Sequence, residues 1–73
     1  MFMSELTIQF GQLVRKYRKE RNMSQEQLAF LCNMDRSYLG RIERGEVNLT
    51  LEKIYELATV LQVTAKDLLP NNV

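Results

Sequence analysis

Residues 24–45 read SQEQLAFLCNMDRSYLGRIERG, and their spacing decides the fold. Ser24 and Gln27 form a capping box: the hydroxyl accepts from an orphan amide of the first turn, and Gln27 reaches back to the cap. Leu28, Ala29 and Cys32 then share one face of a short helix. Asn33 tolerates the left-handed conformation that ends a helix sharply, and Met34 after it turns inward. Asp35 is the expected N-cap of a second short helix. Leu39 and Ile42 point into its core, while Arg36, Ser37, Gly40, Arg41 and Arg44 lie largely on the opposite side. Gly45 is a C-cap glycine. The stretch therefore specifies two short helices joined by a tight turn.

Outward from this pair the chain stays helical, with no strand-like alternation, repeat or low-complexity segment. A helix is expected from about Glu5 to Arg21, capped by Ser4, with Phe10, Leu13, Val14 and Tyr17 as its apolar stripe. Gly11 interrupts it, either for close helix approach or simply at a cost in helicity. A fourth helix begins after Thr50 and stops near Gln62, with Leu51, Ile54, Tyr55, Leu57, Ala58 and Leu61 as its stripe. A fifth runs from Thr64 to Leu69, with Asp67 completing a capping box and Pro70 forbidding continuation. Asn71, Asn72 and Val73 form a tail. The fold class is all-α: five helices in one domain over residues 1–73.

The chain has 73 residues, one cysteine and no histidine. So small a core is marginal on its own. Cys32 cannot close an intrachain disulfide, and zinc lacks a ligand set. A partner subunit is the remaining source of stability. A lone thiol and no secretory signal fit a reducing cytoplasm, and the short apolar runs exclude a membrane span. Cys32 itself reads as a small core hydrophobe. Without histidine, a second thiol or a glycine-rich phosphate loop, catalysis has no support and no cofactor is expected.

Net charge is +1, but it is unevenly distributed. Residues 1–45 hold 8 Lys/Arg against 5 Asp/Glu, and residues 46–73 hold 2 against 4. The densest run is Arg15-Lys16-Tyr17-Arg18-Lys19-Glu20-Arg21. A basic half suits an anionic partner, although such a run also suits a solvated helix face. The pair at 24–44 has helix-turn-helix spacing. Its second helix projects Arg36, Ser37 and Arg41, which suits the major groove: Arg makes two hydrogen bonds to guanine, and Ser contacts several base edges. Gln25 and free amides at the first turn of the pair can hold a phosphate. Arg15, Arg18 and Arg44 add charge near the DNA backbone.

Ser24-Gln25-Glu26-Gln27-Leu28-Ala29, followed by Ser37-Tyr38-Leu39-Gly40-Arg41-Ile42-Glu43-Arg44-Gly45, resembles the XRE/Cro-C1 helix-turn-helix family, which includes the lambdoid repressors. The resemblance runs from about Phe10 to Leu69. Asp35-Arg36-Ser37-Tyr38, with Ile42-Glu43-Arg44-Gly45 and Asn48-Leu49-Thr50, is most like the controller proteins of type II restriction-modification systems. It implies a bacterial or phage-encoded, nucleoid-associated homodimer that binds a pseudo-palindromic operator, then activates and represses its own operon. By position, it implies base contacts from Arg36, Ser37 and Arg41, and backbone contacts from Gln25, Tyr38 and Asn48. It also implies a structural ion pair between Arg18 and Glu43. Two positions depart from the pattern: Val47 stands where some controllers carry a base-contacting Arg, and Asn33 stands where many members have Gly.

Dimerisation is expected within residues 50–73, with Tyr55, Val60, Val63 and Leu69 as candidates. It would set two recognition helices about 34–36 Å apart, one turn of DNA. Activation would need a second surface touching RNA polymerase, with Glu26 one candidate. The alternatives are a phage-type repressor, an antitoxin-like regulator, or an adaptor that kept the scaffold and lost DNA binding.

Overall fold

The computed structural model describes residues 3–70, so the expected tail at 71–73 lies outside the described residues. Four α-helices are followed by one 3-10 turn: α1 (Glu5–Glu20), α2 (Gln25–Leu31), α3 (Arg36–Glu43), α4 (Leu51–Leu61) and the turn Ala65–Leu68. The expected fifth helix is thus a single turn. Leu69 precedes Pro70 and sits at φ −99°, ψ 133°, the extended conformation that a following proline imposes.

The helix starts follow from local side-chain chemistry. Ser4, Ser24 and Thr64 each accept from the backbone N–H three residues on, and Thr7, Gln27 and Asp67 answer at the cap in reciprocal boxes. Backbone and hydroxyl donation from Thr64 holds the Asp67 carboxyl below its usual range. Asp35 departs from expectation. Its backbone occupies the cap position and its carbonyl accepts from Leu39 N–H at 3.1 Å, but its side chain makes no cap hydrogen bond.

The helix ends share one device. After α1, α2, α3 and α4 the chain turns through a left-handed residue: Asn22, Asn33, Gly45 and Gln62. Beyond each, an N–H reaches back five residues, from Met23 to Arg18, Met34 to Ala29, Glu46 to Arg41 and Val63 to Ala58, at 2.9–3.1 Å. These are Schellman closures, which satisfy carbonyls the helix leaves unpaired. Each also aims the chain back across the helix it has left, so that four short helices wrap one core.

That core is built from Phe10, Val14, Leu28, Leu39, Ile42, Leu57, Leu61 and Leu68, with Ala29, Cys32 and Ala58 filling between them. Burial pushes the Cys32 thiol up, away from the reactive thiolate. Two glycines decide how closely α1 meets the rest. A Cβ on Gly11 would meet the carbonyl oxygen of Ile42, and would lie 2.6 Å from that of Glu43. Close approach, rather than lost helicity, therefore explains Gly11. Gly45 sits at φ +83°, with Ile8 where a Cβ would go, and its carbonyl accepts from the Thr7 hydroxyl at 2.9 Å. Together these positions fix α1 across the C-terminal end of α3.

The expected stripe of α4 is only partly inward. Leu57, Ala58 and Leu61 are buried and Ile54 is half-buried, but Leu51 and Tyr55 face solvent. The four inward residues span roughly 100° of the helix, at 100° per residue, and the two exposed ones fall beyond its edge.

Candidate nucleic-acid interface

α3 is held at its back edge and free at its front. Leu39, Gly40, Ile42 and Glu43 are buried, whereas Arg36, Ser37, Arg41 and Arg44 are exposed. Ser37, Arg41 and Arg44 are spaced four and seven apart, so they stack within roughly 60° on one face. Arg36, about 100° from Ser37 around the helix, is exposed at its first turn. Gly40, expected on this face, is buried instead, with the Arg44 guanidinium and the Gln25 amide beside its α-carbon. The Tyr38 ring lies half-buried against the core, bordering a shallow hollow with Phe30, Asn33, Met34 and Lys53.

A polar junction fixes the C-terminal end of this helix. Arg18 from α1 donates to Glu43 through Nε at 2.7 Å and Nη2 at 3.1 Å, and through Nη1 to the Met23 carbonyl at 2.8 Å. Gln25 donates its side-chain amide to the same carboxylate at 2.9 Å. Arg18 and Glu43 side chains are only 9% and 4% exposed, and among the described residues no buried side-chain nitrogen or oxygen lacks a partner. A buried charge pair is tolerated only when satisfied in this way. The two roles expected of Arg18 therefore separate. Its guanidinium is committed to α3 and the chain after α1, and too buried to meet a phosphate. Gln25 keeps one side-chain N–H outside the junction. Arg15 is exposed and lies on the same α1 stripe as Gly11 and Arg18, beside the end of α3.

Beyond Gly45 the chain carries Glu46, Val47 and Asn48. Asn48 is exposed. Val47 packs against the core, as an apolar residue should. Glu46 turns back over α3, where its carboxylate accepts from Arg44 Nε at 2.9 Å and stands 3.9 Å from Arg41 Nε. The Arg44 hydrogen bond holds the Glu46 carboxyl below its usual range.

The expected dimer candidates do not share one face. Tyr55 and Val60 line a groove with Leu31, Leu51, Glu52 and Glu56, whereas Leu69 lines a separate apolar hollow with Leu6, Phe10 and Val47. Val60 and Val63 pack largely against the chain's own core. Sequence reading missed the rest of the first face, where Leu51 is 74% and Leu31 53% exposed beside Tyr55 at 61%, and it missed Phe30, 80% exposed at the hollow beside Tyr38. One signal was available. Leu28 to Cys32 is an unbroken apolar run, and five consecutive helical residues cannot all point inward.

Among the described residues no group of three or more His, Cys, Asp or Glu is gathered as metal ligands, and no helix is long and apolar enough to cross a membrane.

The geometry is matched by known proteins. The profile of the helix-turn-helix family matches residues 14–68. The control protein C.BamHI of Bacillus amyloliquefaciens is 45% identical over 67 residues, covering 90% of this chain and 83% of that protein. The crystal structure of the restriction-modification controller protein C.AhdI from Aeromonas hydrophila superposes with a TM-score of 0.81 at 45% identity, over 85% of this chain and 94% of that one. SinR, the master regulator for biofilm formation, solved in complex with DNA, matches with a TM-score of 0.76 at 33% identity, over 81% of this chain and 95% of that one. The chain belongs to the helix-turn-helix family of XRE/Cro-C1 type and is a DNA-binding transcriptional regulator.

Proposed function

We propose that the chain acts as a homodimer on a pseudo-palindromic operator, as the controller of a restriction-modification operon that it activates and then represses. The observation that carries this reading is the arrangement of α3: its back edge is locked by Leu39, Ile42 and the Arg18–Glu43 junction, and its front presents Arg36, Ser37 and Arg41 to solvent. Such a helix can enter the major groove without disturbing the core. Arg36, Ser37 and Arg41 then supply base choice, and Val47 supplies none. Arg44, Asn48, Arg15, the free N–H of Gln25 and the Tyr38 hydroxyl fix register on the backbone. The likeness to C.BamHI and C.AhdI, at 45% identity and near full length, favours the controller circuit over a phage-type repressor or antitoxin partner.

The whole chain serves as one domain in this reading: residues 24–44 meet DNA, and the expected dimerisation region at 50–73 narrows to α4, joined by the end of α2. Glu26, exposed at the start of α2, is the contact for RNA polymerase. A transcriptional reporter carrying the DNA upstream of the chain's own gene tests the circuit. Output should rise at low protein levels and fall at high ones, and Glu26→Gln should lower the rise without lowering operator occupancy. Output that falls at every level would leave a simple repressor.

A further inference from the structure

Glu46, just beyond the C-terminal end of α3, sets a negative charge against the arginines of its exposed front. Its position is set by the fold. Gly45, left-handed and pressed against Ile8, reverses the chain, and the Glu46 N–H closes on the Arg41 carbonyl at 2.9 Å. The side chain is thereby laid back over the last turn of α3. One carboxylate oxygen accepts from Arg44 at 2.9 Å, and the other stands 3.9 Å from Arg41. The Glu46 side chain is only 17% exposed, while both arginines project into solvent. The arrangement has the form of an arginine pair on a phosphate, with an internal carboxylate in the phosphate's place.

We propose that Glu46 is a specificity-determining residue that competes with DNA phosphate for Arg41 and Arg44 and so suppresses binding to non-cognate DNA. This rests on the DNA reading of α3. Exposed ion pairs are weak, so phosphate can displace the carboxylate. The displacement bears unequally on the two kinds of complex. Non-specific binding draws essentially all its affinity from phosphate contacts, and there both arginines are available to the backbone. In the cognate complex Arg41 is taken up at a base edge, so only Arg44 competes with Glu46 for phosphate. The carboxylate therefore handicaps the wrong complex more than the right one.

The test compares wild type, Glu46→Gln, Arg44→Gln and the double variant. The probes are the duplex that wild type selects from a random pool and a scrambled duplex of equal length, across a salt series. Circular dichroism melting shows which variants are folded, and Glu46→Ala replaces Glu46→Gln if the latter is not. Glu46→Gln should bind scrambled DNA about tenfold tighter at 0.1 M salt, with the salt slope steeper by about 0.9 for each phosphate regained. Its gain on the selected duplex should be smaller, so the ratio of the two affinities falls. In the Arg44→Gln background the gain on the selected duplex should vanish, and only the share carried by Arg41 should remain on scrambled DNA. Unchanged affinity for scrambled DNA would overturn the inference, as would equal gains on both duplexes, or a full gain without Arg44, which would mark a simple net-charge effect. If wild type selects no duplex at all, the DNA reading of α3 fails first and the inference falls with it.

Discussion

Arg18 and Glu43 carry opposite charges to a place where neither is stable alone. Three donors converge on the Glu43 carboxylate, two from Arg18 and one from Gln25, and the remaining Arg18 nitrogen is held by the Met23 carbonyl. The junction joins α1, the start of α2 and the end of α3, so it fixes the angle at which the recognition helix leaves the core. Glu43→Ala should strand the Arg18 guanidinium and destabilise the fold by about 3–5 kcal/mol, read as the loss in unfolding free energy by urea denaturation. Glu43→Gln keeps an acceptor and should cost less. Equal stability of Glu43→Ala and wild type would remove the junction from the fold's essential contacts. The need for such a pair was legible only through the family resemblance. The residues alone place an Arg in a basic run, where nothing local says that it is buried.

At the scale of elements, the helix ends were the most legible feature, because caps are written within a few residues. Ser24 with Gln27, Thr64 with Asp67, Asn33 and Gly45 all act as their types require. Gln62 is less evident. It adopts φ 60° although its side chain gives no local reason to, because the closure from Val63 to Ala58 and the inward packing of Leu61 leave the chain no other route. Gln62→Gly should relieve left-handed strain and stabilise the protein by about 0.5–1 kcal/mol. A thermal melt that shifts downward would show that the position is not strained. The misread features are those that depend on distant partners. Leu51 and Tyr55 lie on a plausible helical stripe, and only the placement of α4 against α1 and the 3-10 turn shows that the stripe is wider than the core. The fifth helix fell to one turn because Pro70 constrains Leu69 before a second turn can close.

For the whole molecule, size and surface point the same way. The backbone measures 28 × 25 × 21 Å, shorter than the roughly 34–36 Å between successive major-groove faces. One copy is therefore too small to span two such faces, which accords with the proposed homodimer reading one half-site per copy. The apolar face formed by Leu31, Leu51 and Tyr55, rimmed by Glu52 and Glu56, suits a second copy better than solvent. If the proposed homodimer forms through this face, Leu51→Glu with Tyr55→Glu should give a monomer by sedimentation equilibrium, whereas Leu69→Glu should leave the dimer intact. The reverse result would move the interface to the hollow around Leu6 and Leu69.

The most direct measurement is selection of bound duplexes from a random DNA pool by the wild-type protein and by Arg36→Ala in parallel. Wild type should enrich an inverted repeat whose half-sites lie about one helical turn apart, and Arg36→Ala should blur one base position in each half-site, at a cost of about 1–3 kcal/mol on the selected sequence. Enrichment of the same repeat with equal sharpness by both proteins would remove Arg36 from base reading. The absence of any enriched sequence, with only weak and salt-sensitive binding, would contradict sequence-specific recognition by α3.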